Sequence, residues 1–363
     1  MKKLGRRAMA AFLALVMAAS SAPFAMAGDT YPYVGESAKG ENQPYSHGYR
    51  VEDITTWSPE TDPYADLLRA EVPLQDRNAA LVATQANPDL LPEAQYLTLT
   101  GDYGNAFFNS YSYTNEFSTH VFNFWQYVDY YASWHGQPSV GTPEELNDIE
   151  DERNATDGNA WTRRYFEFGL VNLPNPAYTN AAHKNGVLSL GCMFQPRAYQ
   201  NFEEMLYTDE NGRYPVADKL TEIAEYYGFD GYFFNMEGRS YSSDVRAELK
   251  KFLAQMRADG MYIQWYNAGS FSTDMLVDTE TDTDIANSVF IEYGHSVPGD
   301  SATEPYGLDK FEVGFNGFEA GGNRWSNDFS RLMSNGVMNG SIASLGTDFV
   351  QTGLEQAAYQ DEE

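Results

Sequence analysis

The sequence is poor in cysteine and histidine. Cys192 is the single cysteine among 363 residues, so no intramolecular disulfide can form. It lies in an apolar run, which is typical of a small buried hydrophobic residue rather than of a nucleophile. The five histidines lack the spacing of a zinc site, and no GxSxG motif occurs. We therefore expect no metal site.

Basic side chains are also scarce. The chain has 23 Lys and Arg against 52 Asp and Glu, a formal net charge of −29 at pH 7. Nucleic acids and anionic membrane surfaces are bound by clustered basic residues, so we expect neither as a partner. A neutral ligand such as a glycan is compatible with this charge. The 26 Tyr are suitable as stacking platforms for sugar rings, although they also fill cores.

A long apolar run occurs only near the N-terminus. Residues 1–27 combine a basic head, an apolar segment over 8–19 and the small-residue sequence AMA at 25–27. This pattern is typical of a signal peptide, and the apolar segment is too short for a membrane span. We therefore expect a secreted or extracytoplasmic protein that starts near Gly28 and is not inserted in a membrane. The sequence does not specify the oligomeric state, and a monomer is the default expectation.

Short apolar runs alternate with helical patterns along the rest of the chain. Helices are predicted over 176–185, 216–227 and 244–259. Strands are predicted over 95–100, 127–134, 186–194, 231–237, 262–267, 288–293, 311–315 and 340–345. Eight strands alternating with helices indicate an α/β protein, a (β/α)8 TIM barrel with a single catalytic domain.

The predicted barrel occupies residues 91–350. The preceding segment, 28–90, is expected to pack on the barrel, and residues 351–363 form an acidic tail. Residues 136–173 form a long, acidic insertion after the second strand. It is either a lid over the C-terminal face of the barrel or a solvated surface excursion.

The strongest chemical signal is the sequence YYGFDGYFFNMEG over 226–238. A helix ends, the chain turns at Gly228, and an aromatic strand follows. Because side chains alternate along a strand, Asn235 and Glu237 are expected to share a face while Met236 points away. An amide beside an acid suits the hydrolysis of a 2-acetamido sugar, whose own acetamide is the nucleophile. The aromatic surroundings predict a raised pKa for Glu237, although a Glu at a strand end is often only a structural hydrogen-bonding group.

Several segments together resemble the endo-β-N-acetylglucosaminidases of glycoside hydrolase family 85, which cut the chitobiose core of N-glycans. The segments are QPYSHGYRVEDITTWSPETDP (43–63), VPLQDR (72–77), FNFWQYVDYY (122–131), AAHKNGVLSLGCMF (181–194), RYPVADKLTEIAEYYGFDGYFFNMEG (213–238) and WYNAG (265–269). The resemblance implies a retaining, substrate-assisted hydrolysis of the β-1,4 bond between the two core N-acetylglucosamines, without any cofactor.

The resemblance also implies residue roles. Glu237 matches the family's general acid, Asn235 the residue that holds the acetamide, and Tyr266 the tyrosine that hydrogen-bonds at the same centre. The sequence departs from the family at the barrel mouth. Asn267 and Asn316 replace acids, and Glu292 replaces an asparagine. These departures indicate a divergent branch with altered substrate contacts.

Further residues at or beyond the predicted strand ends are candidates for substrate contacts. They are Trp134, Phe194, Tyr199, Trp265, Asn267, Glu292, Tyr293, Asn316 and Trp325. His183, on a predicted helix, is expected to be structural.

Two alternatives remain open from the residues alone. One is a chitinase-type barrel of family 18, whose fourth strand carries DxxDxDxE. The matching positions here are Asp230, Phe233, Asn235 and Glu237, which favours family 85. The other is a secreted glycan-binding barrel without catalysis. Retention of both Asn235 and Glu237 favours an enzyme.

Overall fold

Eight parallel strands close on themselves into a barrel in the computed structural model of this chain. The structure describes residues 48–49, 51–62, 65–66, 68–77, 91, 93–100, 125–133, 171–174, 176–194, 202–236, 241–293, 298–319, 332–334 and 337–345. The barrel strands are β1 (Tyr96–Thr100), β2 (Tyr130–Ser133), β3 (Leu188–Phe194), β4 (Gly231–Asn235), β5 (Tyr262–Asn267), β6 (Ser288–Ile291), β7 (Gly314–Glu319) and β8 (Ser341–Leu345). The predicted (β/α)8 fold is confirmed.

The helices of the described residues lie between these strands or before the first of them. They are α1 (Val51–Thr56), α2 (Pro176–Lys184), α3 (Pro215–Tyr227), α4 (Ser243–Ala258), α5 (Asp300–Thr303) and α6 (Lys310–Val313). Short 3-10 turns cover Trp125–Tyr127, Phe202–Met205, Thr273–Met275 and Glu304–Tyr306. The three helices expected from the sequence are α2, α3 and α4, each within one residue of its predicted bounds.

Local signals set the ends of the two long helices. α3 starts with a proline in its first turn, where no backbone N–H is needed. It ends at Gly228, whose φ of 77° is left-handed and whose N–H donates to the carbonyl of Ala224 at 2.8 Å. α4 is capped by Ser242, whose hydroxyl oxygen accepts the N–H of Val245 at 3.3 Å.

The seventh strand begins later than predicted. Residues 311–313, expected as strand, belong to the short helix α6, because the carboxylate of Asp309 accepts the N–H of Phe311 at 2.8 Å and caps a helical turn. The chain becomes extended at Gly314. The helix cap at Asp309 therefore outweighs the preference of Phe311 for a strand.

Short strands add to the barrel. Gly48–Tyr49 pairs antiparallel with Val171–Asn172, which pairs antiparallel with the last part of β3. Two small hairpins, Val277–Asp278 with Thr283–Asp284 and Met333–Ser334 with Val337–Met338, lie in the connections after β5 and β7. Among the residues that the structure describes, no helix is long and apolar enough to cross a membrane.

The barrel has an inner core and an outer core because its strands are buried on both faces. The inner core is formed by Leu97, Leu99, Ala132, Leu190, Cys192, Phe233, Tyr266, Phe290, Phe315, Ala343 and Leu345. The residues between these along the strands, such as Phe234 and Trp265, belong to the outer core with the apolar faces of α3 and α4. Cys192 is fully buried, as expected.

A strap formed by residues 68–77 crosses the N-terminal end of the barrel. The N–H of Ala70 donates to the carbonyl of Tyr227 at 2.9 Å, and the amide oxygen of Asn180 accepts the N–H groups of Glu71 and Val72, both at 2.8 Å. Gly186 lets the strap approach closely, since a Cβ there would lie 2.7 Å from the backbone of Arg77. The remaining calls on domain bounds lie largely outside the described residues and stay predictions.

His183 joins the strap, α2 and β4. Its Nδ1 lies 2.6 Å from the carbonyl oxygen of Val72, and its Nε2 lies 2.9 Å from the carboxylate of Asp230. Both partners are hydrogen-bond acceptors, so the protonated imidazole is the form that satisfies both contacts. Burial by itself lowers the pKa of His183, but the hydrogen bond and charge of Asp230 and the carbonyl of Val72 outweigh it, and the pKa is raised.

We expect His183→Gln to lower the free energy of unfolding by roughly 2 kcal/mol at pH 6, because it leaves the half-buried Asp230 without its cation. The folded-state pKa is raised, so the ion pair contributes fully below the unfolded pKa of about 6.5 and is lost as pH rises through the folded value. Urea denaturation of both proteins at pH 6 and pH 9 measures this. A difference in stability that is the same at both pH values would contradict it.

Candidate active site

Asn235 and Tyr266 lie side by side at the C-terminal ends of neighbouring strands. Phe234 of β4 and Trp265 of β5 are register partners, and each is followed by one of these two residues. Phe234 and Trp265 face the outer core, so Asn235 and Tyr266 face the barrel interior. Their exposed fractions are 4% and 7%. The structure thus brings together an amide and a phenol at the C-terminal end of the barrel, where (β/α)8 proteins carry their functional sites.

An aromatic floor lies beneath them. The rings of Phe233 and Tyr266 are 6.4 Å apart, and the ring of Phe290 is 5.7 Å from the first and 5.6 Å from the second. Phe290 of β6 and Phe233 are both almost fully buried. This apolar layer separates the two polar residues from the rest of the interior, and it lowers the local dielectric in which they act.

Glu292 and Tyr293 follow β6 at the same end of the barrel. The N–H of Glu292 donates to the carbonyl of Asn267 at 3.1 Å, which holds this residue next to the end of β5. The ring of Tyr293 lies edge-on to Phe290, with 6.0 Å between centroids. Both side chains are partly exposed. They are therefore placed at the rim of the same site.

Three other residues predicted to contact substrate have different surroundings. Trp265 packs in the outer core, and Asn316 is buried with its amide donating to the carbonyl of Ser341 at 3.0 Å. Asn267 donates to the carbonyl of Ser270 at 2.5 Å and closes the turn after β5. Trp265 and Asn316 each lie next to an inward-facing residue on the same strand, so their own side chains face outward. Nearness to a strand end suggested all three, but the face of the strand decides where a side chain goes.

Several predicted site residues cannot be placed. Glu237, Trp134, Tyr199 and Trp325 lie outside the described residues, so their roles stay predictions. Phe194 is described by its backbone, which pairs in register with Asn235. The buried Met236 belongs to the outer core while Asn235 faces the interior, which agrees with the predicted alternation.

The residues beneath the site were not predicted from the sequence. Phe233, Gln264 and Phe290 each lie two positions before a candidate site residue, on the same face of the strand. Gln264 is fully buried, and its amide nitrogen donates to the hydroxyl of Ser288 at 3.1 Å. Its side-chain oxygen has no hydrogen-bond partner among the residues that the structure describes. Because alternate residues along a strand share a face, all three could have been identified two positions before Asn235, Tyr266 and Glu292.

The described part of the chain contains no group of three or more His, Cys, Asp or Glu residues arranged to hold a metal ion. The chemistry available from its side chains is hydrogen bonding by a buried amide and a phenol above an aromatic layer, with the Glu292 carboxylate beside them. Such an arrangement is suited to an uncharged ligand with an apolar face.

Comparison with known proteins decides the family. The profile of glycosyl hydrolase family 85 matches residues 103–297, which is more than half of the chain. The chain belongs to glycosyl hydrolase family 85. It is therefore a glycoside hydrolase by family, and the family 18 alternative is set aside.

Relatives and a solved structure agree with this assignment. The chain is 27% identical to cytosolic endo-beta-N-acetylglucosaminidase 2 of Arabidopsis thaliana over 186 residues, 45% of this chain and 26% of that protein. It is 25% identical to cytosolic endo-beta-N-acetylglucosaminidase of Gallus gallus over 228 residues, 60% of this chain and 25% of that protein. The chain thus spans about a quarter of the length of these curated relatives.

The fold matches the crystal structure of the glycoside hydrolase domain of Endo-D from Streptococcus pneumoniae R6. The TM-score is 0.64 at 20% identity, and the match covers 85% of this chain and 48% of that one. At this level of identity the likeness supports the barrel fold alone.

The relatives correct the expected localisation. The matching proteins of Arabidopsis thaliana, Danio rerio, Mus musculus, Gallus gallus and Homo sapiens are all named cytosolic. They point to the cytoplasm, so the prediction of a secreted protein is wrong, and the predicted signal peptide gains no support. A basic head followed by an apolar run is a pattern of composition, and composition alone does not decide the compartment.

We expect Trp265→Ala to lower the free energy of unfolding by about 3–5 kcal/mol, because it removes a large side chain from the outer core. Urea denaturation measures this loss. Trp265→Phe, which keeps an aromatic ring there, should lose less. A Trp265→Ala protein of unchanged stability that no longer binds a core glycan would show instead that this indole contacts substrate.

Proposed function

We propose that this protein is an endo-β-N-acetylglucosaminidase that hydrolyses the β-1,4 bond between the two core N-acetylglucosamines of N-glycans. The observation that carries the proposal is the pair of inward-facing residues Asn235 and Tyr266, at the C-terminal ends of β4 and β5 in a family 85 barrel. The names of the relatives in Arabidopsis thaliana and Gallus gallus support the same activity.

In the first step the substrate supplies the nucleophile. The acetamide oxygen of the sugar attacks its own anomeric carbon, while the bond from that carbon to the leaving oxygen breaks. Glu237 donates a proton to this oxygen, and the leaving N-acetylglucosamine departs with its asparagine. The product on the enzyme is a bicyclic oxazolinium ion.

The second step places a hydroxyl group on the anomeric carbon. The Glu237 carboxylate takes a proton from water, and the water oxygen attacks the anomeric carbon and opens the oxazolinium ring. Two inversions at that carbon give net retention. Glu237 is protonated again at the end, so the cycle closes without a cofactor.

Asn235 and Tyr266 act on the acetamide. Its N–H becomes more acidic as the oxygen attacks, and the Asn235 amide oxygen is the acceptor that orients it. The hydroxyl of Tyr266 hydrogen-bonds at the same reacting group. Both side chains are buried and neutral, so they orient the acetamide without adding a charge. Dipoles held by a packed barrel need little reorganisation during the reaction.

Around this centre we propose that the glycan contacts Glu292 and Tyr293, at the rim of the site. The proposed contacts are completed by Phe194, the last residue of β3, and by Trp134, Tyr199 and Trp325. Trp265, Asn267 and Asn316 are left out because two are buried away from the interior and the third closes its own turn.

We expect Glu237→Gln to reduce glycan release by about 10²–10⁴-fold because the amide cannot transfer the proton. The measurement is mass spectrometry of glycoproteins with high-mannose and trimmed core glycans after incubation with each protein. Wild type should leave a single N-acetylglucosamine on asparagine. If neither protein cleaves any glycoform yet both bind glycans equally, the chain is a glycan-binding barrel.

We expect Asn235→Ala to reduce turnover by about 10²–10³-fold, comparable to the loss of one preorganised polar group. The matched control is Asn316→Ala, which removes another buried asparagine from a barrel strand but on the outer face. Initial rates on one purified glycopeptide, together with thermal denaturation, separate activity from folding. Equal loss of turnover in both variants would contradict the assignment of Asn235.

A further inference from the structure

Phe290 lies at the centre of the aromatic floor. Its ring is 5.6 Å from that of Tyr266, 5.7 Å from that of Phe233 and 6.0 Å from that of Tyr293. The Tyr266 ring is tilted by 43°, whereas the other two meet Phe290 nearly perpendicularly, at 82° and 85°. One buried ring therefore touches both tyrosines of the site and the residue two positions before Asn235.

A glycine on the neighbouring strand makes room for this ring. A Cβ added to Gly317 of β7 would lie 2.3 Å from Cε1 and 2.8 Å from Cζ of Phe290. Real side chains do not approach so closely, so the ring occupies the space that any other residue at 317 would fill. The ring is thus confined from the β7 side as well as by three aromatic neighbours, and it has little freedom to move.

We propose that Phe290 is a positioning residue for Tyr266 and Tyr293. The hydroxyl oxygen of a tyrosine lies on the axis of its ring, so its direction is set by the χ1 torsion, and packing against the ring decides which χ1 position is held. Phe290 packs against Tyr266 and Tyr293 at once and fixes the direction in which both rings leave the barrel. This inference rests on the proposed function, in which Tyr266 hydrogen-bonds the reacting acetamide.

The kinetic consequence follows from where Tyr266 acts. A hydroxyl that is displaced by a fraction of an ångström still allows the long glycan to bind, but it no longer meets the acetamide in the transition state. Loss of positioning therefore lowers kcat more than it raises KM.

The chain offers a matched control in Phe315. It faces the interior next to Phe290, as its register partner on β7, and it is equally buried. Its ring contact within the described residues is to Tyr130, at 5.5 Å, and not to Tyr266 or Tyr293. Phe290→Leu and Phe315→Leu therefore make the same change in the same core, with and without the contact to the site.

We expect Phe290→Leu to lower kcat by about tenfold or more with KM within about twofold, and Phe315→Leu to change kcat by less than about threefold. Phe290→Met, which retains more volume, should show a smaller loss and serves if the leucine variant folds poorly. Equal loss of kcat in Phe290→Leu and Phe315→Leu overturns the proposal.

A second measurement does not depend on turnover. 3-Fluorotyrosine is incorporated at position 266, and its ¹⁹F resonance is recorded in the wild-type background and in both leucine variants. Removal of the Phe290 ring shifts this resonance through the lost ring current alone, so the diagnostic readout is exchange broadening or an additional resonance, which we expect with Phe290→Leu and not with Phe315→Leu. A Phe290→Leu spectrum as sharp as that of the wild type, with no additional resonance, overturns the positioning role even if the wild type cleaves no glycan, so its failure is distinguishable from failure of the proposed function.

Discussion

The direction of each side chain in this barrel is decided by the strict alternation along strands that are buried on both faces. In a closed parallel sheet a shift of one residue moves a side chain from the inner core to the outer core. Tyr266 and Trp265 are chain neighbours, yet one faces the site and the other packs on the helices. The register between β4 and β5 then places Asn235 beside Tyr266. Everything proposed about the chemistry depends on this register.

The same alternation explains why the site can rely on neutral groups. A charged residue facing the interior would lose its hydration, whereas an amide and a phenol cost less to bury once they are hydrogen-bonded. The aromatic floor of Phe233 and Phe290 keeps water from below the site, and Gln264 below it is already held by Ser288. The proposed substrate brings its own nucleophile and suits a site of this kind, because the protein must then supply only one proton donor and rigid dipoles.

Much of the fold could be predicted from the sequence because its signals are local. The apolar runs and the glycine that ends α3 predicted seven strands and three helices to within a few residues. The start of β7 was predicted too early because Asp309 caps a short helix there. The site was predicted in part. Asn235 and Tyr266 stand in recognisable sequence segments, and the inward direction of Phe290 follows from alternation along β6. The contact between Phe290 and Tyr266, however, depends on register between strands distant in sequence, which no local pattern encodes.

The residues at the two ends of the barrel have different roles. At the N-terminal end a strap, an asparagine amide and the His183–Asp230 ion pair hold α2, β3 and β4 together through hydrogen bonds to the backbone. At the C-terminal end the side chains of Tyr266 and Tyr293 pack against Phe290 below them, and Tyr293 is partly exposed. Asp230 directly precedes β4, and its carboxylate accepts the N–H of Ser189 in β3 at 2.7 Å. The contacts at this end therefore help to fix the register of β3 and β4, and the same register places Asn235 at the other end of the strand.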